Sequence, residues 1–384
     1  MRSRFLAVAA TAGLVFVSSP AAATTPDTWG QEAGHATGDY YNPGETRLTP
    51  ANAARLKPRW TVPAASVKCA EPAVPLVAGQ RLITAASYQI RGYDASTGAR
   101  VWQTPVTGKK TSISLAAIVG KRLIAQYRDC RSNKAFLTAH DVATGKVVYQ
   151  KRIPETMYDL VVDKGIVLGS VWDEPISKYG IRAYRIADGA RVWARVGSIG
   201  GQRIVADGKV LVVGDDNKST AIDVTTGRAV WKAGAGCFTP IGASPDGAAF
   251  YMRCDPDGLI RRVSSATGAV LGTFPSHGST MGFATDGERV YLHTLASTMI
   301  AVDARDGRRV WTATFADDTP YGFAIGGGVV YGWRSDGHPL AAFEARTGRA
   351  ITLDAGTSAL RGAPIVANGR LYGRIGSTVT AYAP

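Results

Sequence analysis

The chain has 384 residues, 45% hydrophobic and 19% charged, a balance that suits a packed globular fold and excludes an intrinsically disordered chain. Lys and Arg outnumber Asp and Glu 44 to 30, a net charge of +14, yet dense basic runs are missing and only isolated pairs occur, such as Lys109-Lys110, Arg261-Arg262 and Arg308-Arg309. The charge therefore reads as dispersed for solubility, and nucleic acid is not an expected partner.

The first residues read as an export signal. Arg2 and Arg4 precede the apolar run Phe5 to Val17, and Ala21-Ala-Ala23 supplies small residues for cleavage. Residues 1–23 are thus expected to be removed, leaving a secreted or extracytoplasmic protein. The apolar run is too short to span a bilayer comfortably and no later segment qualifies. No Cys sits at the cleavage site, so no lipid anchor is expected.

Residues 24–55 form a lead-in segment with a short helix. Next, Leu56-Lys-Pro-Arg-Trp60-Thr-Val62 reads as a single outer strand without companions. From there the chain repeats. Asp94, Gly98 and Trp102 recur as Asp141, Gly145 and Tyr149, as Asp223, Gly227 and Trp231, and as Asp303, Gly307 and Trp311. A worn copy holds Arg185, Gly189 and Trp193, and two more keep Thr267-Gly268 and Thr347-Gly348. The glycines lie 38 to 47 residues apart, and a period near about 40 with strand-like flanks is the mark of a propeller blade.

Each copy has a mechanical reading. Alternating apolar residues such as Met299-Ile-Ala-Val302 suit a half-buried strand. The Asp accepts backbone N–H groups to start a turn, and Gly supplies the positive φ that closes it. The Trp, four residues on, lies on the returning outer strand and fills the gap to a neighbouring blade. Nothing in the motif is reactive.

The chain ends with Ala363 to Tyr372 and Thr378 to Tyr382, three strands lacking a fourth, which the Trp60 strand supplies. Residues 56–384 are therefore expected to form an all-β, eight-bladed propeller of four-stranded antiparallel blades. The N-terminal outer strand closes the ring and leaves no sheet edge open at the junction.

Four cysteines in an exported chain invite disulfides. Cys237 and Cys254 flank the turn Ser244-Pro-Asp-Gly247 symmetrically, so they should oppose each other across one hairpin. Cys69 and Cys130 then pair by elimination, stapling two blades. The five histidines (His35, His140, His277, His293 and His338) show no metal-ligand spacing, and no metal site is expected.

A binding site is expected at the mouth where innermost strands begin and second strands end. Aligned second strands place Ala85, Gln126, Gly169, Val213, Arg253, His293, Trp333 and Arg374 at one level, with Trp172 and Arg334 beside it. Arg253, His293, Trp333, Arg334, Arg374 and Trp172 are the candidates for an anionic or sugar-like ligand, Arg donating and Trp stacking. The competing reading is that these side chains simply reach solvent.

The repeated Asp-x-x-Thr-Gly-x-x-x-Trp run resembles the docking motif of the quinoprotein alcohol dehydrogenase-like propellers, the PQQ-binding-like repeat group. The segment Trp29-Gly through Tyr41-Asn-Pro-Gly-Glu45 to Trp60 is similar to that group's N-terminus, and the resemblance covers residues 29 to 384. The group holds both dehydrogenases and non-catalytic scaffolds. The resemblance implies, for a catalytic member, PQQ over a Trp and under a disulfide of adjacent cysteines, with Glu and Asn holding Ca²⁺ beside a catalytic Asp. No adjacent cysteines occur, and no Glu/Asn/Asp set maps onto this chain. The expectation is a monomeric, non-catalytic binding scaffold without cofactor, meeting a protein or an envelope polymer. The alternative is a PQQ- and Ca²⁺-dependent oxidoreductase with a divergent site.

Overall fold

The computed structural model describes residues 27–64, 73–86, 88–106, 111–132, 134–173, 177–199, 204–213, 218–233, 237–254, 257–278, 280–294, 297–315, 321–334 and 340–384. The expected export signal and Cys69 lie outside them. Eight sheets follow one another along the chain. Blades 1 to 6 span 76–105, 111–153, 158–196, 205–232, 237–275 and 280–314, each an antiparallel meander of four strands. Blade 7 has the strands Tyr321–Gly326, Val329–Trp333 and Ala341–Glu344, its outer strand reduced to the bridge between Phe343 and Ala350.

Blade 8 is the split one. Arg361–Ala367, Arg370–Ile375 and Thr378–Ala383 come from the C-terminus, and Lys57–Pro63 pairs antiparallel with Thr378–Ala383. The Thr61 and Thr380 hydroxyls meet at 3.0 Å across that seam. The architecture is the eight-bladed, ring-closed propeller that the repeat implies.

Between blades, an aromatic side chain of one outer strand lies over the motif glycine of the next blade. Trp60 covers Gly98, Trp102 covers Gly145, Tyr149 covers Gly189, Trp193 covers Gly227, Trp231 covers Gly268 and Trp311 covers Gly348. At each glycine an added Cβ would meet that ring at under 3.0 Å, so a bare backbone is what lets the ring seat. Five indole N–H groups then donate into the next blade's turn: Trp60 to Ser96 O (3.2 Å), Trp102 to Val142 O (2.9 Å), Trp193 to Val224 O (2.8 Å), Trp231 to Ser265 O (2.9 Å) and Trp311 to Ala345 O (3.0 Å). A buried indole is thus satisfied as well as packed. Blade 5 differs. Gly272 occupies its Trp position, and Phe274 covers Gly307 instead. Two residues along a strand return to the same face, so the substitution preserves the contact.

The lead-in binds every blade. Thr28–Trp29 pairs antiparallel with Ala78 and Val77 of blade 1, and Gly30 O accepts from Ile118 N–H of blade 2 at 2.8 Å. The Gln31 amide donates to Val162 O (2.8 Å) and accepts from Val162 N–H (3.0 Å) of blade 3. Ala36 O, Thr37 O, Asp39 O and Tyr40 O accept in turn from Val205 (2.7 Å), Ala243 (2.9 Å), Thr285 (3.0 Å) and Ile325 (2.8 Å) of blades 4 to 7. Asn42 Nδ2 donates to Val366 O of blade 8 at 2.8 Å. All these partners lie where innermost strands end, so residues 27–45 run once around the ring as a strap opposite the mouth. Behind the strap, Trp29, Leu48 and Leu56 are fully buried, and a 3-10 turn covers Ala53–Arg55 before the closing strand begins.

Candidate functional site

The mouth is built from the last residues of second strands and the first of innermost strands. Register pairs Gln126 with Ser114, Arg253 with Thr239, His293 with Gly282, Trp333 with Tyr321 and Arg374 with Arg361. These positions do share one level. Two residues deeper, blades 5 to 8 carry Tyr251, Tyr291, Tyr331 and Tyr372, all fully buried, where blades 1 to 4 carry Ile83, Ile124, Val167 and Leu211. Burial pushes the Tyr251 phenol up to about 12. These tyrosines are packing, with Tyr291 donating to Asp286 Oδ2 at 2.6 Å.

The candidate side chains are not equally available. His293 is fully buried. Trp333 is half-buried and donates its indole N–H to Leu360 O at 2.9 Å, packed against the core beside Leu340 and Leu360. Arg253 and Arg374 are half-buried. Arg334 lies with its guanidinium carbon 5.6 Å from the Phe315 ring centre, a cation–π contact. Gln126 is sealed by its own exchange with Met157, accepting from N–H at 2.8 Å and donating to O at 2.9 Å. Trp172 stands apart on blade 3, 40% exposed. His140 is structural: Nε2 lies 2.6 Å from Tyr127 Oη, and burial lowers its pKa.

Sequence reasoning did not find Arg182. It sits 7% exposed on blade 3, and its Nη2 donates to Glu155 Oε1 (3.2 Å) and Asp173 Oδ2 (2.9 Å). Its signal was a lone cation inside the apolar strand Tyr179-Gly-Ile-Arg-Ala-Tyr184.

Cys237 and Cys254 are direct register partners across the blade 5 hairpin, and no described cysteine is free. The expected pairings rest on Cys69 and on the Cys237 side chain, which lie outside the described residues.

A PQQ–Ca²⁺ centre needs oxygen donors converging beside a catalytic carboxylate. The level of Gln126, Arg253, His293, Trp333 and Arg374 carries amide, guanidinium, imidazole and indole groups, and the described carboxylates at the strand ends, Asp129, Asp159 and Asp173, lie apart from it. Among the described residues no three His, Cys, Asp or Glu side chains are grouped to hold a metal. The donor set of the described residues does not fit that group. No described helix is long and apolar enough to cross a membrane.

The family model described as "Outer membrane protein assembly factor BamB" matches residues 8–232, 256–351 and 300–383. Among solved structures, BamB from Moraxella catarrhalis superposes with a TM-score of 0.58 at 18% identity, covering 85% of this chain and 98% of that one. The quinohemoprotein alcohol dehydrogenase from Comamonas testosteroni superposes at 0.62 and 14% identity, covering 94% and 81%. The computationally designed Ika8 protein superposes at 0.62 and 13%, covering 84% and 99%. At such identities the likeness shows the fold alone. No curated protein matches the chain.

Proposed function

The chain belongs to the family of the outer membrane protein assembly factor BamB, and from that premise we propose that it is an exported, non-catalytic scaffold that holds a partner protein at the cell envelope. One observation carries this reading. The outer strands present exposed apolar residues in one repeated place, immediately before the docking aromatic: Val101, Val148, Val192, Val230 and Val310, with Leu271 at the equivalent place of blade 5. These are 38–49% exposed, and each lies on an outermost strand with a free edge. Such edges accept an added strand, the backbone supplying affinity and the apolar row supplying side-chain contact.

Export is supported by the leader-like residues 1–23 and by the absence of a free thiol among the described cysteines, which suits a Cys237–Cys254 bond in an oxidising compartment. The non-catalytic reading is supported by the misfit of the described mouth residues to PQQ and Ca²⁺. The protein acts as a monomer in this reading.

Affinity capture from solubilised envelope, with Val192→Glu and Val230→Glu variants as comparison, tests the scaffold role. A partner retained by the wild type and lost by the variants is the expected result. Reconstitution with PQQ and Ca²⁺ that gave a saturating cofactor spectrum and dye reduction would replace the scaffold with an oxidoreductase.

A further inference from the structure

One buried carboxylate gathers the middle of the strap. Asp39 is 1% exposed, and its two oxygens hold three other strap residues. Oδ2 accepts from the Thr37 hydroxyl at 2.8 Å, and Oδ1 accepts from the Tyr41 N–H at 3.0 Å. His35 completes the set as an ion pair, its Nδ1 lying 3.6 Å from Oδ1. Tyr40 N–H closes the same loop onto Ala33 O at 3.0 Å. Gly34, Gly38 and Tyr40 all hold positive φ, 88°, 62° and 56°. For a tyrosine that backbone is strained, and it persists only where the surroundings hold it. The loop carbonyls at 36, 37, 39 and 40 are the ones that accept the N–H groups of blades 4 to 7. What orders Asp39 therefore orders the strap's hold on four blades.

A buried carboxylate is costly unless charge and hydrogen bonds compensate it. Thr37 and Tyr41 supply neutral donors, and His35 supplies the charge. His35 is 37% exposed and lines a cleft of about 410 Å³ between the strap and the innermost turns of blades 3 to 5. The charged groups that share this cleft are Asp163 and Lys164 of blade 3, Asp207 of blade 4 and Asp246 of blade 5. Lys164 is paired with Asp207 at 3.4 Å, and Lys209 is paired with it at 2.7 Å. Asp39 is thus the charge that the imidazole meets directly. Burial works against a charged ring, but the Asp39 carboxylate and the Tyr41 backbone outweigh it, so His35 is held above its ordinary 6.5.

We propose that His35 and Asp39 form a pH-operated latch, which fastens the loop 33–41 to blades 4 to 7 when the imidazole is protonated and loosens it when the imidazole is neutral. Loss of the proton leaves the Asp39 carboxylate with neutral donors alone, and the strained loop loses part of what holds it. The raised folded value fixes the direction. The latch contributes fully below about pH 6.5, and its contribution is lost as pH rises through the folded value. It lies on the side of the ring opposite the mouth and makes no use of the outer-strand edges, so it stands whether or not those edges bind a partner.

The test is an NMR titration of the purified protein with isotope-labelled histidine, joined to amide exchange at pH 6 and pH 8 corrected for the intrinsic rate. A His35 midpoint above 6.5 is expected, moving down in Asp39→Asn. Protection of the Val205, Ala243, Thr285 and Ile325 amides should fall about threefold or more from pH 6 to pH 8. The Ile118 and Gly369 amides, bonded to Gly30 and Glu45 outside the loop, should hold. Asp39 is buried, so His35→Gln, a change at a partly exposed ring, carries the test if Asp39→Asn fails to fold. In His35→Gln the four loop-bound amides are expected at their pH 8 protection under both conditions. A His35 midpoint at or below 6.5, or one unmoved in folded Asp39→Asn, overturns the latch. Equal protection at the two pH values overturns it too, as does a His35→Gln protein that keeps the pH dependence.

Discussion

Glu45 Oε2 accepts a hydrogen bond from the Gly369 N–H at 2.6 Å, joining the lead-in to the innermost turn of the last blade, 324 residues away. The same carboxylate takes Arg47 N–H at 2.7 Å and Leu48 N–H at 2.9 Å through Oε1. Glu45 itself is 2% exposed. Replacing it with Ala deprives three backbone donors at once, two of them in partly buried surroundings. Glu45→Ala is expected to cost about 2 to 3 kcal/mol. Glu45→Gln, which can still accept from some of these donors, should cost less. Chemical denaturation checks the order, and hydrogen exchange should locate the loosening at 366–369 and along the strap. Faster exchange confined to residues 46–52 would mean that Glu45 orders only its own loop.

The aromatic clasp makes a second expectation. Phe274 is 2% exposed and covers Gly307, although the repeat pattern marks position 272 rather than 274. Phe274→Ala is expected to cost about 3 to 5 kcal/mol, as a core aromatic truncation does. Val270, 55% exposed on the same outer strand, should tolerate Ala within about 0.5 kcal/mol. Similar midpoints for the two variants in a denaturant series would remove Phe274 from the clasp.

The scaffold was legible because its signal is local and repeated. Asp94-Ala-Ser-Thr-Gly98 states its own turn, and Trp102 four residues on states its contact. The split blade was legible because Lys57–Pro63 is a lone outer strand and the three C-terminal strands from Arg361 to Ala383 are one short of a blade. The strap was not, because its partners are backbone groups of eight distant strands, and a carbonyl such as Ala36 O leaves no trace in residue type. Its side-chain anchors, Gln31, Asn42 and Glu45, were visible only as polar residues in a lead-in. At the mouth, alignment placed Gln126, His293 and Trp333 at one level but not their availability. Gln126 spends its amide on Met157 and Trp333 its indole on Leu360, pairings that depend on tertiary contact. Phe274 was missed because the pattern is one of residue position, whereas the contact is one of strand face.

Glycines separate conformational from steric cost. Gly120 and Gly227 both hold positive φ, 57° and 69°. Around Gly120 an added Cβ meets nothing within 4 Å, whereas at Gly227 it would lie 2.7 Å from Trp193 Cγ. Gly120→Ala should therefore cost about 1 to 2 kcal/mol, the left-handed backbone penalty alone. Gly227→Ala should cost distinctly more, because the Trp193 ring must move and its bond to Val224 O is lost. Thermal midpoints order the two variants, and Trp193 emission should shift to the red only in Gly227→Ala.

The turn carboxylates set the acid limit. Asp94 is held at about 2 by the Ser96 hydroxyl and the backbone N–H groups of Ser96 and Thr97, against an ordinary value of 3.8. Asp188 is held at about 2 by the Arg185 guanidinium, and Asp141, Asp223 and Asp303 are lowered by their own turn donors. A depressed folded value means that the unfolded chain takes up protons first as pH falls. The stabilisation is therefore complete above about pH 4 and is lost progressively down to about pH 2. Because these groups lie in solvent, each contributes little alone, and the effect is the sum over repeated turns. Urea midpoints should hold steady from pH 6 to pH 4.5 as far as these carboxylates determine them, then fall between about pH 4 and pH 2. Asp94→Asn with Asp223→Asn should lower the midpoint at neutral pH and shrink the fall below pH 4. A double variant whose midpoint dropped equally at every pH would show that these turns are held by shape and not by charge.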